Sequence, residues 1–468
     1  MADEMGIETL DHRDFDAEIE ELITLIREKK YGKVRSTLIE NNAVDIAEML
    51  EEVEDELGLE SEILIFRMLP KDVSVEVFSF LSEDNQVDII NGITQKEIDQ
   101  IIQELDFDDM IDLLEELPAN LVDKILVNTT KEERHLINTF LNYPDNSAGS
   151  LMTIDYVHLR QGMSVSACLA HIREVGTEAE TIYSCYVIGS GRHLIGTVSL
   201  KALVMADPDQ TVDEIMHREP LSVSVLTDQE EVSNMFKRYG LIAMPVVDGE
   251  GRLVGIITVD DIMEVIDDEA TEDFQRMAGV TGDSDEEYLE TGVLKHVRNR
   301  LPWLIILMCS YMITGGIISS FEDMLSSCIS LVTYMPMLMG TGGNSGSQSS
   351  TLIIRGIATD DVRLDDFFYV LWKEVRVGFM VGICLSLLNF ARLRWIDHET
   401  IGVAMTVCGA MFLIVMIAKC VGAMLPLIAK AVHIDPALMA GPVVSSLTDM
   451  MSLGIYFVFA SMILGIGS

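Results

Sequence analysis

Over residues 15–142 apolar positions recur at helical spacing, as in Leu22, Ile23 and Ile26 or Ile111, Leu114 and Leu117, with short polar turns between the runs. The pattern predicts a series of helices. A faint repeat at an offset of 36 aligns residues 72–81 and Ile89-Ile90 with residues 108–117 and Ile125-Leu126. Two similar helical hairpins stacked side by side would bury one continuous core, the logic of a small all-α superhelix. Residues 143–150 (Tyr143, Pro144, Asp145, Asn146, Ser147, Ala148, Gly149, Ser150) break the pattern and read as a linker.

Residues 151–266 alternate strand-like with helical runs, so this part is α/β. It repeats internally. Tyr186-Val187-Ile188-Gly189-Ser190-Gly191-Arg192 through Gly196-Thr197-Val198-Ser199-Leu200 matches Pro245-Val246-Val247-Asp248-Gly249-Glu250-Gly251-Arg252 through Gly255-Ile256-Ile257-Thr258-Val259, with one residue inserted in the first copy. Each copy reads as a strand, a Gly-containing turn, a second strand and a helix. The pattern resembles a tandem pair of CBS modules, which implies either an adenine nucleotide such as ATP in the cleft or a purely structural pair with the cleft empty.

From Leu301 the pattern changes to uncharged windows at 301–321, 324–354, 377–391, 400–418 and 436–468, the last interrupted only by Asp449. A helix needs about 20 apolar residues to cross ~30 Å of hydrocarbon. The third window is short, so its helix is expected to begin earlier and take in Lys373-Glu374-Val375-Arg376. Five membrane helices follow, an odd number that puts the two ends of this domain on opposite faces. Arg355, Arg363, Lys373 and Arg376, with Lys295, Arg298 and Arg300, place those segments in the cytosol, whereas Arg392 and Arg394 then lie outside, against the positive-inside rule. The start of the chain lacks the basic and apolar regions of a signal peptide. With the acidic N-terminal part, this sets the expected topology as N-terminus in and C-terminus out.

Charge sharpens the division. Before Lys295 there are 65 Asp and Glu against 21 Lys and Arg; from Lys295 on there are 11 of each. So negative a region opposes nucleic-acid binding and an anionic membrane surface, and favours cations. The seven scattered cysteines form no Cys-x-x-Cys pair and fit small apolar packing rather than zinc or disulfides. No nucleophile elbow, phosphate loop or metalloprotease helix appears, so an enzyme is not expected.

Three features carry candidate chemistry. Asp449 lies within an otherwise uncharged 33-residue stretch, where a carboxylate costs several kcal/mol unless water or a cation accompanies it. Gly441, Ser445, Thr448, Asp449 and Ser452 share its helical face, suiting either a pore or a close helix contact. The run Gly340-Thr341-Gly342-Gly343-Asn344-Ser345-Gly346-Ser347-Gln348 weakens a helix and offers carbonyl and amide oxygens, or serves tight helix packing. The third feature is the run before the membrane windows, which puts Asp261, Glu264, Asp268 and Glu272 on one helix face. Like charges at that spacing repel. The run is either a solvated acidic face or, with Asp228, Glu230 and the Asp106-Phe107-Asp108-Asp109 cluster, a surface that stays apart until cations neutralise it. The absence of membrane-embedded basic residues disfavours an anion substrate.

These motifs, in this order, resemble the MgtE family of magnesium transporters: Tyr143-Pro144 with residues 147–152, the run 342–348, Lys373-Glu374 with Gly378, and Asp435-Pro436-Ala437-Leu438 with Gly441-Pro442 and Asp449. The resemblance implies an acidic helical N domain (1–145), two CBS modules (146–216 and 217–266), a plug helix and linker (260–292) and a five-helix membrane domain (293–468). It implies a homodimer in the cell membrane in which Asp449 of each subunit, with Asn344 nearby and Ser445 on the same face, meets a largely hydrated Mg²⁺. It also implies that Asp228, Glu230, Asp261, Glu264, Glu269, Glu272 and Asp273 match a cytosolic magnesium-sensing surface that gates uptake, to which the charge reading adds Asp108 and Asp109 as candidate ligands. Gly240, beside Lys237 and Arg238, stands where some members have a further acidic residue. Two other readings remain: a CBS-governed transporter of another divalent cation, and a membrane sensor that transports nothing.

Overall fold

The structure, a computed structural model, describes residues 15–126, 129–177, 179–282, 288, 291–359 and 361–465. The chain start and part of the expected plug linker (283–287, 289 and 290) lie outside the described residues. The chain divides into two compact units, Met1–Val265 and Ile266–Ser468.

The first unit begins with ten described helices: α1 (Phe15–Arg27), α2 (Tyr31–Ile39), α3 (Ala43–Leu57), α4 (Leu59–Phe66), α5 (Lys71–Ser79), α6 (Glu83–Gly92), α7 (Gln95–Glu104), α8 (Phe107–Glu116), α9 (Ala119–Leu126) and α10 (Lys131–Phe140). From α5 to α10 they start at residues 71, 83, 95, 107, 119 and 131, a period of 12. The 36-residue offset therefore spans three single helices, and the expected two-helix hairpin unit is corrected. From α3 to α9 each helix packs on the second one along, α3 on α5, α4 on α6 and so on. Ile65, Phe78, Ile89 and Ile101 are buried in consecutive members of the stack. Short helices like these do not hold alone in water, and the shared apolar face supplies the missing stability. Their ends are marked locally. Gly58 terminates α3 at φ 82°, and a capping box of Thr94 and Glu97 opens α7, with Glu97 also held by Arg67 at 3.0 and 3.1 Å.

Two small sheets follow. Strands β1 (Tyr156–Arg160), β2 (Thr181–Ile188), β3 (Leu194–Ser199) and β4 (His217–Arg218) form one in that order, with α11 (Val165–Val175), α12 (Leu200–Met205) and α13 (Val212–Ile215) between them in sequence. Strands β5 (Val223–Ser224), β6 (Ala243–Val247) and β7 (Leu253–Thr258) form the other, with α14 (Gln229–Tyr239) after β5 and α15 (Val259–Ala278) after β7. Val187 stands opposite Gly196 and Ile188 opposite Leu194; Val246 stands opposite Gly255 and Val247 opposite Leu253. The offset is 59 on both strands, so the one-residue insertion is corrected. Arg192 occupies the left-handed position that Gly251 fills in the second copy (φ 64° and 75°), and the equivalent residues His193 and Arg252 pair across the two copies.

Residues 143–150 are not a free linker. Ala148 N–H donates to Thr227 O at 2.7 Å and Gly149 N–H to Val225 O at 2.9 Å, and Thr153 pairs with Ile256. A Cβ on Gly149 would lie 2.7 Å from the Tyr143 ring and 2.8 Å from Val225 O, so glycine is required where this segment is stitched to the second module. Gly240 ends α14 in the left-handed conformation at φ 61°, with Lys237 and Arg238 in the last turn. The departure noted at that position is thus a helix stop, where a side chain of any charge is strained.

The second unit holds α16 (Val293–Ser320), the short α17 (Glu322–Ser327), α18 (Ser330–Ala358), α19 (Phe367–Trp395), α20 (Ile401–Ala431) and α21 (Gly441–Leu464). Helix α19 takes in Lys373-Glu374-Val375-Arg376. Four of the five long helices are long and apolar enough to cross a membrane; α18 has 29 residues, but its Gly, Ser, Thr, Asn and Gln run lowers its hydropathy. Helices α18, α19 and α21 pack closely around α20, and α18 also packs on α21. On α19, Gly378 and Gly382 face Met416 and Phe412 of α20, a small-xxx-small contact. Arg392 pairs with Asp397 at 3.0 Å and Arg394 donates to Glu399 O at 2.6 Å, so the two arginines that break the positive-inside pattern are bound to the acidic turn after α19.

One expectation is overturned. The uncharged window 400–418 belongs to a helix that continues to Ala431, and Lys419 lies inside it, 6 % exposed. The membrane domain does contain an embedded basic residue.

Candidate ion pathway and acidic clusters

Helix α21 begins at Gly441-Pro442, where Pro at the first turn fits a helix N-terminus. Its sequence then places Val444, Thr448, Asp449 and Ser452 on a buried face, with Asp449 8 % exposed. The helix met by that face is α18. A Cβ on Gly342 would lie 2.6 Å from Ser452 Oγ, one on Gly343 would lie 3.3 Å from Ser445 Oγ, and one on Gly346 would lie 2.6 Å from Val444 and 3.2 Å from Thr448. Ser347 Oγ and Ser445 Oγ stand 3.4 Å apart. Two features found separately in the sequence, the glycine run and the stripe around Asp449, are therefore one seam. Ser452 Oγ is buried there without a protein hydrogen-bond partner, as is Ser446 Oγ elsewhere on α21, polar groups for which water or a cation is the natural partner. On the opposite side of α18, Gly340, Asn344 and Gln348 are exposed at four-residue intervals.

A second assembly lies wholly in the first unit. Asp108 and Asp109, in the first turn of α8, are partly buried, and burial together with their acidic neighbours pushes them up to about 7 and about 8. Those neighbours are Asp106, Asp112 and, across the fold, Asp261 in the first turn of α15. Burial also raises Asp261, whose Oδ2 accepts from Thr258 Oγ1 at 2.7 Å. Glu264 acts on Asp112, and Glu180, raised to about 7 by burial and then by Asp108, completes the group. Glu180 was not among the expected residues, since nothing in its local sequence marks it. Asp108 Oδ1 is buried without a hydrogen-bond partner.

A third group lies in the second unit. Burial raises Asp273, then Asp435 and Glu269, against the lowering effect of Arg276 and Arg355; Glu272 is raised by burial and feels the same neighbours. Arg276 pairs with both Glu272 and Asp435, and Asp435 Oδ1 also accepts from Ala437 N–H at 2.7 Å in the turn that leads into α21. Asp435 had been noted only as part of a motif. Asp228 and Glu230 join neither group: Asp228 caps α14, its Oδ1 accepting from Glu230 N–H at 2.9 Å, and both residues are exposed. Among the described residues no three His, Cys, Asp or Glu side chains converge tightly enough to grip a bare ion.

Three family models match the chain: a divalent cation transporter domain over residues 335–459, an MgtE intracellular N domain over 41–146 and a CBS domain over 212–268. The magnesium transporter MgtE of Thermus thermophilus is 37 % identical over 454 residues, covering 94 % of this chain and 99 % of the relative. The chain belongs to the MgtE family. The Bacillus subtilis magnesium transporter MgtE is 31 % identical over 448 residues, covering 96 % of this chain and 97 % of the relative. A crystal structure of the cytosolic domain of the Mg²⁺ channel MgtE in complex with ATP is 35 % identical and covers 53 % of this chain and 99 % of that one, with a TM-score of 0.49. This MgtE-family chain is accordingly a multi-pass Mg²⁺ transporter with a CBS regulatory part, and the transporter match contains both the glycine run and Asp449.

Proposed function

We propose that this MgtE-family protein takes up Mg²⁺ past Asp449 through an axial pore shared by a homodimer, with the close-packed α18–α21 seam forming the pore wall, and closes when cytosolic Mg²⁺ fills its acidic clusters. The observation that carries the pathway is the packing of Gly342, Gly343 and Gly346 against the face of α21 that bears Asp449. A carboxylate at bilayer depth concentrates divalent over monovalent cations by charge and can act on an ion that keeps its water. Asn344 and Gln348 support the dimer. Two exposed amides one turn apart on a membrane helix need a partner or water, which a second subunit and a shared axial pore supply.

Gating follows from charge. At low Mg²⁺ the Asp108, Asp109, Glu180 and Asp261 group repels itself, as does the Glu269, Glu272, Asp273 and Asp435 group. Hydrated Mg²⁺ favours the arrangement in which such carboxylates stay close, a population shift towards the closed state. Asp228 and Glu230 are assigned a peripheral part in this surface. The topology is N-terminus in the cytosol and C-terminus outside. For ATP, support on this chain is a cavity of about 550 Å³ lined by His158, Arg160, Gly189, Ser190 and Arg192, whose cationic groups suit phosphates.

The test is Mg²⁺-dependent growth and flux in a strain without other magnesium uptake, comparing wild type with Asp449→Ala. Loss of flux with normal membrane insertion is expected. Unchanged flux in Asp449→Ala sinks the pathway, and full regulation without any flux in the wild type favours a sensor.

A further inference from the structure

We propose that Lys419 is a built-in counter-cation, a positioning residue that neutralises Glu374 through Ser349 and thereby holds the glycine run of α18 in place for ion passage. Three helices meet at this point. On α20, Lys419 stands three residues before Gly422, and a Cβ on Gly422 would lie 2.1 Å from Gly346 O, a close backbone approach of α18 to α20. On α18, Ser349 stands three residues after Gly346, on the same helical face. On α19, Glu374 stands four residues before Gly378, whose Cα side lies 3.0 Å from Met416 of α20 at the Cβ position. These close approaches bring the three side chains to one junction, and the contacts show it. Ser349 Oγ donates to Glu374 Oε2 at 2.7 Å, and Lys419 Nζ donates to Ser349 Oγ at 3.5 Å.

The burial makes the pairing consequential. Lys419 is 6 % exposed and Ser349 2 % exposed, and Glu374 is half-buried. An ammonium or a carboxylate alone at this depth is strongly unfavourable, and a hydroxyl between them lets one charge answer the other without direct contact. Because Ser349 belongs to the helix that carries Gly342, Gly343 and Gly346, one turn on from Gly346, the charge pair fixes that helix beside the place where its glycines pack on α21. Removing one charge leaves the other buried and drives water or a counter-ion into the junction, a cation beside a lone Glu374 and an anion beside a lone Lys419. Removing both leaves a neutral contact. Lys419 therefore acts on the pathway through α18 rather than by touching the ion.

The inference rests on the pathway reading for its transport consequence, but not for the pairing itself. The experiment uses the full-length protein as wild type, Lys419→Met, Glu374→Gln, the double variant and Lys419→Arg. Two quantities are measured: Mg²⁺ uptake over a range of Mg²⁺ concentrations, and the melting temperature of detergent-purified protein. Each neutralising single substitution should lower the maximal uptake rate about tenfold and lower the melting temperature, with half-saturation changed less than about twofold. The double variant should recover both quantities, and Lys419→Arg should retain both. The proposal is overturned by a Lys419→Met protein that behaves as wild type, by a double variant no better than the worse single, or by recovery of melting without recovery of uptake. Where a single variant yields no folded protein, the double decides: a folded, transporting double supports the pairing and an unfolded one refutes it. Melting does not depend on transport, so failure of the Asp449 pathway would leave the coupling between Lys419 and Glu374 readable.

Discussion

Replacing Gly422 by alanine should do more damage than its single methyl group suggests. The added Cβ would sit 2.1 Å from Gly346 O, 2.7 Å from its carbonyl carbon and 2.9 Å from its Cα, all backbone atoms that no rotamer change can move aside. An ordinary contact begins near 3.4 Å, so α18 and α20 must separate locally by about 1.3 Å, the difference from the present 2.1 Å. Overpacking of this kind typically costs about 1–3 kcal/mol, and a backbone collision belongs at the upper end. The shift is also directed. Gly346 is the residue against which Val444 and Thr448 pack, so pushing α18 away from α20 moves it relative to the face of α21 that carries Asp449. The expected outcome is a melting temperature several degrees lower and Mg²⁺ uptake reduced at least tenfold. Gly454→Ala is the control, since nothing lies within 4 Å of its Cβ position on α21; it should melt and transport as wild type. Both are measured by uptake in a strain without other magnesium transport and by thermal melting of purified protein. A Gly422→Ala protein indistinguishable from wild type in both assays would refute the claim that this close approach sets the pathway.

Other outcomes follow from the acidic groups. Asp108 and Asp109 hold protons more tightly in the folded protein than in the unfolded chain, so their contribution to stability is full below about pH 4 and is lost as pH rises through about 7 to 8. Mg²⁺ should therefore raise the melting temperature more at pH 8.5 than at pH 6, and equal gains at both values would count against the cluster as a cation site. Glu62 is fully buried, accepts from Asn85 Nδ2 at 3.3 Å and is pushed up to about 8 by burial and then by Glu54. Glu62→Gln should leave stability unchanged near pH 5 and raise it above pH 8, where the wild-type carboxyl is forced to ionise; a lower melting temperature at pH 9 would show that the carboxylate is needed there. Arg276→Met removes the contact with Asp435 before α21 and should shift the Mg²⁺ concentration that closes transport by severalfold, as read from uptake in preloaded vesicles. An unshifted closing concentration would remove Arg276 from the gate.

Much of this protein is readable residue by residue because the relevant physics is local. The price of a carboxylate among 33 uncharged residues singles out Asp449 without any neighbour in view, and hydropathy windows find the membrane helices from length and composition alone. Turn chemistry exposes the CBS repeat, and charge counting divides the chain at Lys295. The sequence also carries the 36-residue offset, but only the helix starts show that its unit is a single 12-residue step, because the apolar period is the same for a hairpin and for a stack. Side-chain packing between distant segments decided the rest. That the glycine run packs on Ser445, Thr448 and Ser452 of α21, that Glu180 joins Asp108 and Asp261, and that Asp435 meets Arg276 all depend on which helices become neighbours, and no spacing along the chain encodes that. Lys419 shows the difference most sharply: read linearly it ends an apolar window, but in the fold it lies inside a helix, where burial makes its charge unfavourable until Ser349 and Glu374 answer it.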